Sequence, residues 1–481
     1  MLEWLKRHAW KACSRLKRLT GSNPVLSAKA RTACPVLQNQ GSGVILMKLP
    51  IDNQVLSSVL EQMDILDISG ATIRQSGAIS RALEERTGTE FLHLEMGIPG
   101  LPPMKAGVEA EKTALDSGVA SQYPNMAGTP DLKLQASRFL KAYLDIDVAP
   151  SGCVPTVGSM QGSFSTFLLC AHLSREKDTI LFVDPGFPVQ RTQAHILNIR
   201  SQSFDIYDFR GVKLGPELER HLQSGRIAAI IYSSPNNPAW FNLTEEELEI
   251  IGTLATKYDA IVIEDLAYMC MDFRKPLGKP YEPPFQPTVA KYTDNYIIMM
   301  SGSKMFSYAG QRIAIIAISN TLYRREYPLL KEFFKMSRLG DAYIFAVLYA
   351  VSSGASHSAQ YALAEMLRAA ADGELDFVTA AAEYARRAKL SKKMFLENGF
   401  DIVYSMDGDE PVSDGFFYTI GYKDMPSGEL MGELMRYGMC TISLSMTGSR
   451  QNGVRVCVSQ LNRPDQFDML AERLRLFAAH H

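Results

Sequence analysis

Several absences narrow the class of this 481-residue chain before any motif is read. No uninterrupted apolar run approaches the roughly 20 residues that a membrane-spanning helix needs. The longest stretch, around 342–355, is broken by Tyr, Ser and Gly. There is little net charge, −2 in all, so nothing global favours nucleic acid or an anionic membrane as partner. The seven cysteines (13, 34, 153, 170, 270, 440, 457) form no CxxC pair and show no metal-like spacing to histidine. An odd, scattered set in a chain this long predicts reduced thiols in a cytoplasmic protein, with no disulfide framework and no metal site. No internal repeat, low-complexity tract or Gly/Ser-rich or Pro-rich linker divides the body of the chain.

What is present is the composition of an ordinary globular protein, 46% hydrophobic and 21% charged. At this length one core is too small, so a large domain with a smaller one packed closely on it is expected.

Residues 1–46 differ in kind. They hold eight of the 50 basic residues and one of the 52 acidic ones, leaving the rest at 42 against 51, about −9. Leu2, Leu5, Ala9, Ala12, Leu16 and Leu19 give this head a basic amphipathic pattern. It reads as a segment absent from the mature protein, as a targeting or membrane-surface segment, or as a structured arm. Pro24, Pro35 and Gly41-Ser42-Gly43 leave no room in it for a winged-helix DNA-binding domain and its linker.

From 51 to 87 apolar residues recur at three- and four-residue spacing, which predicts helix. A short strand over 91–95 leads to the turn Gly97-Ile98-Pro99-Gly100. Strand-like apolar runs and helical segments then alternate, with strands over 153–157, 179–183, 227–232, 260–263, 296–300 and 313–319. Such alternation, with strands apolar throughout, predicts an α/β fold built on a mainly parallel sheet buried on both faces. The polar clusters follow the strands, where open α/β sheets bind ligands. Beyond 320 the pattern is helical, and 416–421, 440–443 and 454–459 read as strands of a smaller α+β domain. The resulting division is 1–46 as the head, 47–97 as a helical segment shared with the small domain, 98–360 as the large domain and 361–481 as the small one.

Ser301-Gly302-Ser303-Lys304, with Arg312 eight residues after the lysine, joins the last two strands of the large domain. A lone lysine in a polar turn is ordinarily a surface residue, so its meaning depends on partners elsewhere. A lysine that forms a Schiff base with pyridoxal phosphate needs a carboxylate for the ring nitrogen, donors for the phenolic oxygen, an anion site and an aromatic over the ring. Asn237-Pro238, Asp265-Leu266-Ala267-Tyr268 and Gly158-Ser159-Met160-Gln161 supply candidates.

With 28 residues from Asn237 to Asp265, three more to Tyr268 and eight from Lys304 to Arg312, the chain resembles the fold-type I pyridoxal-phosphate-dependent enzymes, specifically the class I/II aminotransferases. The resemblance runs from about 97 to 455. It implies a fold-type I architecture and transfer of an amino group from an L-amino acid to a 2-oxo acid in two half-reactions. Lys304 would be the Schiff-base lysine and proton shuttle, Asp265 the partner of the ring nitrogen, and Asn237 and Tyr268 the partners of the phenolic oxygen. Ser159, the backbone of Met160 and Gln161, Ser301, Ser303 and Arg312 would hold the phosphate. Phe187 would stack on the ring, and Tyr123 would reach the phosphate of a neighbouring subunit in a homodimer with shared active sites. Arg455, with Gly97 and Asn237, would bind the substrate carboxylate.

The chain departs from the pattern in places. Trp240 stands where the family has glycine after Asn-Pro-x, Gly158-Ser159-Met160-Gln161 lacks the commoner small residues, and Tyr308-Ala309 replaces a proline-glycine turn. No arginine stands in 351–353, where dicarboxylate-specific relatives carry one, so a hydrophobic or broad substrate is favoured. C–S lyases of the same fold are the alternative; they usually have histidine where Tyr268 stands.

Overall fold

The computed structural model describes residues 49–481, so the basic head and its amphipathic pattern lie outside the described residues. The described residues belong to one unit, Met47–His481. At its centre is a seven-stranded sheet of β1 (Cys153–Thr156), β2 (Thr179–Asp184), β3 (Arg200–Asp205), β4 (Ile227–Ser233), β5 (Ile261–Asp265), β6 (Tyr296–Ser301) and β7 (Ala314–Ile318), in the order β1-β7-β6-β5-β4-β2-β3. Strands β2 to β6 are parallel, and β7 runs antiparallel to both of its neighbours.

The sequence forms this sheet because its strands are apolar on both faces. Every residue of β1, β2, β4, β5, β6 and β7 is buried. Successive side chains point to opposite faces. Along β4, Ile230 and Tyr232 therefore enter one core while Ala229 and Ile231 enter the other. Each buried isoleucine contributes about 1.5–3 kcal/mol. The exception is β3, whose Arg200 and Ser201 are exposed. It lies at the edge and pairs only with β2, so it needs no second apolar face, and its polar sequence gave no strand signal.

The smaller part is an antiparallel sheet of β8 (Asp401–Ile402), β9 (Phe417–Gly421), β10 (Ile442–Ser443) and β11 (Val454–Cys457), ordered β10-β11-β9-β8. The N-terminal helical region is two helices, Asn53–Gln62 and Ile73–Thr87, broken around Asp64 at φ 54°. The second opens with a reciprocal Thr72–Gln75 capping box. Leu92–His93 then pairs in parallel with Met439–Cys440, joining this segment to the smaller part. The boundary drawn at 360 falls inside the helix His357–Ala371, which packs on Lys105–Asp116 and Pro130–Leu144 of the large part.

Candidate active site

The ends of the central strands are brought level by register. Ser233 lies opposite Asp265, Asp265 opposite Met299, and Ser301 opposite Ala314, which in turn faces Thr156. The turns after β1, β4, β5 and β6 therefore open on one edge, where a cavity of about 380 Å³ lies between the two parts.

One end of the cavity is built for an anion. The helix Gly158–Cys170 starts there with Ser159 and Met160 in the wall, and its first N–H groups have no partner within the helix. The loop after β6 is a single helical turn, Gly302–Met305, rather than an irregular loop, and the Ser301 hydroxyl caps it by accepting from the Ser303 N–H at 3.1 Å. Arg312 donates to the Ala309 carbonyl at 3.0 Å and to the Ser303 hydroxyl at 3.4 Å. Gly158 has φ +69°, and a Cβ there would stand 2.3 Å from an Arg312 nitrogen, so backbone conformation and close approach both require glycine. The Gln161 side chain is not in the wall. Its Oε1 accepts from the Val157 N–H at 2.7 Å and its Nε2 donates to Ser352 at 2.6 Å. Tyr123 also lies outside the cavity, 92% exposed.

In the middle stand a buried acid and a lysine. Asp265 accepts from the Gln190 amide at 2.9 Å and from the Ala267 N–H at 3.2 Å, and burial pushes its carboxyl up to about 6. Phe187 precedes the helix Pro188–Ile196 that carries Gln190, and both Phe187 and Tyr268 line the cavity. Lys304 Nζ donates to the Gly97 carbonyl and lies 5.6 Å from the centre of the Phe416 ring. Burial pushes its ammonium down to about 8, with Arg312 and Arg455 acting in the same direction. Burial likewise raises the Tyr268 phenol.

At the other end Arg455, on β11, is 1% exposed. It donates to Asn237 Oδ1 at 3.0 Å and to the Glu95 carbonyl, and its guanidinium lies 4.6 Å from the Phe417 ring centre. Its Nε has no partner, and burial holds its pKa below the usual arginine value. Asn237 comes from the loop after β4, which also carries Trp240, fully buried and at φ +68°. The backbone here takes the left-handed conformation that glycine would adopt, so tryptophan bears a cost of about 1–3 kcal/mol.

Ser159, Met160, Phe187, Asn237, Asp265, Tyr268, Ser301, Ser303, Lys304, Arg312, Arg455 and Gly97 thus converge on one cavity, while Gln161 and Tyr123 do not line it. Sequence reasoning missed Gln190, Ser233, Ile73 and Met96. Gln190 had a signal, one helical turn beyond Phe187 on the same face. Ile73 and Met96 had none, because only the pairing of the N-terminal segment with residues 439–440 brings them in.

A family model described as "Aminotransferase class I and II" matches residues 89–473. Curated relatives include a probable aspartate aminotransferase of Methanocaldococcus jannaschii, 25% identical over 53% of this chain and 64% of that one. A glutamate-pyruvate aminotransferase of Escherichia coli is 27% identical over 49% and 56%. These alignments span under two thirds of the relatives' own length. Among solved structures, an aspartate aminotransferase from Thermus thermophilus with maleate superposes with a TM-score of 0.67 at 19% identity, covering 85% of this chain and 96% of that one. An aminotransferase from Mycobacterium tuberculosis superposes at 0.68 with 18% identity, covering 85% and 96%. The fold is theirs, a mixed, mostly parallel sheet flanked by helices with a smaller α+β part.

Proposed function

The chain belongs to the class I and II aminotransferase family, and we propose that it moves an amino group from an L-amino acid to a 2-oxo acid with pyridoxal phosphate as cofactor and Lys304 as the Schiff-base lysine. The observation that carries this reading is the placing of Lys304 and Asp265 in one cavity whose anion end is shaped by Gly158 against Arg312. The donor set fits the cofactor: a helix N-terminus, two serines and an arginine for the phosphate, and a buried carboxyl for the ring nitrogen.

When bound, the cofactor supplies an aldehyde and a ring that accepts electrons from the substrate Cα. The protein does the rest. Ser159, the Met160 and Gln161 N–H groups, Ser301, Ser303 and Arg312 would hold the phosphate, with Arg312 as its cationic partner. Asp265 is held in place by Gln190 and gains a cationic partner that favours its ionised form. Asn237 has its amide oxygen taken by Arg455, which leaves its NH₂ for the phenolic oxygen, beside the Tyr268 hydroxyl. Phe187, in the cavity wall, would cover the ring. Arg455, with Gly97, orients the substrate carboxylate. Lys304 Nζ, balanced between its two forms near pH 8, can hold a proton or take one from the substrate Cα.

Lys304, Arg312 and Arg455 are the cations in the wall among the described residues, and each already has a role. With Ile73, Met96 and Ile98 also in the wall, this supports a hydrophobic or broad substrate over a dicarboxylate. A homodimer in which Tyr123 crosses to the neighbouring site is supported by the outward position of that tyrosine. A cytoplasmic protein is supported by the five cysteines among the described residues, all free and buried. No helix among the described residues is long and apolar enough to cross a membrane.

The test is a half-reaction panel of cofactor-loaded protein with single L-amino acids. Stoichiometric conversion of the bound cofactor to its amine form, with release of the matching 2-oxo acid, is expected. Repeated release of pyruvate and ammonia without an acceptor would instead assign a lyase.

A further inference from the structure

Trp240 is a buried side chain beside the site that the functional reading leaves without a task. It occupies left-handed backbone that non-glycine residues seldom adopt, and its indole N–H is buried without a partner. Features of this kind persist where the surroundings over-determine a residue, so the contacts of the ring matter. The indole meets Tyr268 edge-on at 5.3 Å between centroids, Phe417 at 6.0 Å and Phe416 at 6.5 Å. A Cβ on Gly415 would lie 1.9 Å from the indole Cε2, so the backbone leading into β9 rests against the ring. On the other side, Trp240 shares a tight loop with Asn237. The Trp240 N–H donates to the Asn236 carbonyl at 2.9 Å, and the Asn236 N–H to the Phe241 carbonyl at 2.9 Å.

Phe417 lies beneath the guanidinium of Arg455. No carboxylate among the described residues hydrogen-bonds to that buried cation. Its contacts are two carbonyl oxygens, those of Asn237 and Glu95, and the face of this ring, with the buried Glu95 carboxylate favouring its charge from further off. The Phe417 ring is fixed from the Gly97 side as well, where a Cβ would come within 2.9 Å of it.

We propose that Trp240 is a positioning residue that keys β9 of the smaller part to the Asn237 loop of the larger one, holding Phe417 under Arg455 and so fixing the guanidinium that receives the substrate carboxylate. It acts through Phe417 and does not touch the substrate. The proposal rests on the reading of Arg455 as the carboxylate site.

The experiment uses cofactor-loaded Trp240→Ala, Trp240→Phe, Phe417→Leu and Arg455→Gln. Binding of two unreactive carboxylates, propanoate and 3-phenylpropanoate, is measured by calorimetry, alongside KM and kcat for the best amino donor. Trp240→Ala and Phe417→Leu are expected to weaken carboxylate binding about 5–30-fold and to raise KM in step. In both, kcat should change much less, and Trp240→Phe should stay close to wild type. Folded Trp240→Ala that binds both carboxylates like wild type overturns the proposal. So does Phe417→Leu with unchanged binding, a result that decides the matter even if Trp240→Ala does not fold. Arg455→Gln separates the two readings: unchanged binding in that variant removes the assignment of Arg455 itself, whereas loss there with none in the other variants removes only the role of Trp240.

Discussion

Asp265 shows how far a single residue can be set against the stability of the chain. Burial raises its carboxyl to about 6 from the ordinary aspartate value of 3.8. The folded chain therefore holds this proton to higher pH than the unfolded chain does, and stability falls as pH rises from about 4 to 6, then levels off. That difference corresponds to a cost on the order of 3 kcal/mol at neutral pH. Cofactor-free Asp265→Asn is expected to lack this decline. Urea unfolding should show it more stable than wild type at pH 7 by up to that amount, with the difference vanishing below about pH 4. Equal stability at pH 7 would mean that Asp265 is better solvated than its burial implies. At this scale the sequence was most legible, because Asn237, Asp265, Tyr268, Lys304 and Arg312 are fixed by spacing within motifs. Gln190 was legible only as a position one helical turn beyond Phe187; its contact with Asp265 depends on the angle at which a helix meets a strand.

At the scale of elements, unbroken apolar runs made the buried strands visible and left the polar edge strand β3 unseen. Cavity geometry was legible only in part, since it depends on turns whose conformation is set by contact. Gly158 is the clearest case, being both left-handed and pressed against Arg312. Gly158→Ala is expected to push Arg312 off the anion end and strain the turn. The apoprotein should then lose affinity for pyridoxal phosphate by about tenfold or more, given roughly 1.5–3 kcal/mol for a hydrogen bond to a charged group. Fluorescence titration would check this, with inorganic phosphate as a competitor that should weaken in parallel. Trp240 makes the complementary point. The motif called for glycine, and the backbone kept the glycine conformation with a different side chain on it.

For the whole molecule, the proposed shared active site carries its own prediction. Sedimentation should give twice the chain mass, and Tyr123→Phe should leave that mass unchanged while weakening cofactor retention about tenfold or more, the loss of one charge-assisted hydrogen bond. A fully monomeric protein that retains cofactor and activity would remove the shared site. The sequence pointed to a larger and a smaller part but could not disclose how they interlock, because that depends on contacts between distant segments. Leu92–His93 lies in register with Met439–Cys440, Ile51 N–H donates to the Arg436 carbonyl, and Arg473 donates to the Glu90 carbonyl. The segment that brings Ile73, Met96 and Gly97 to the cavity is therefore held by partners near the opposite end of the chain. During synthesis at about 5–20 residues per second, those partners emerge roughly 350 residues later, a wait on the order of tens of seconds. Residues 49–97 are among the first of the described residues to be made and cannot take their final place until almost the last have left the ribosome.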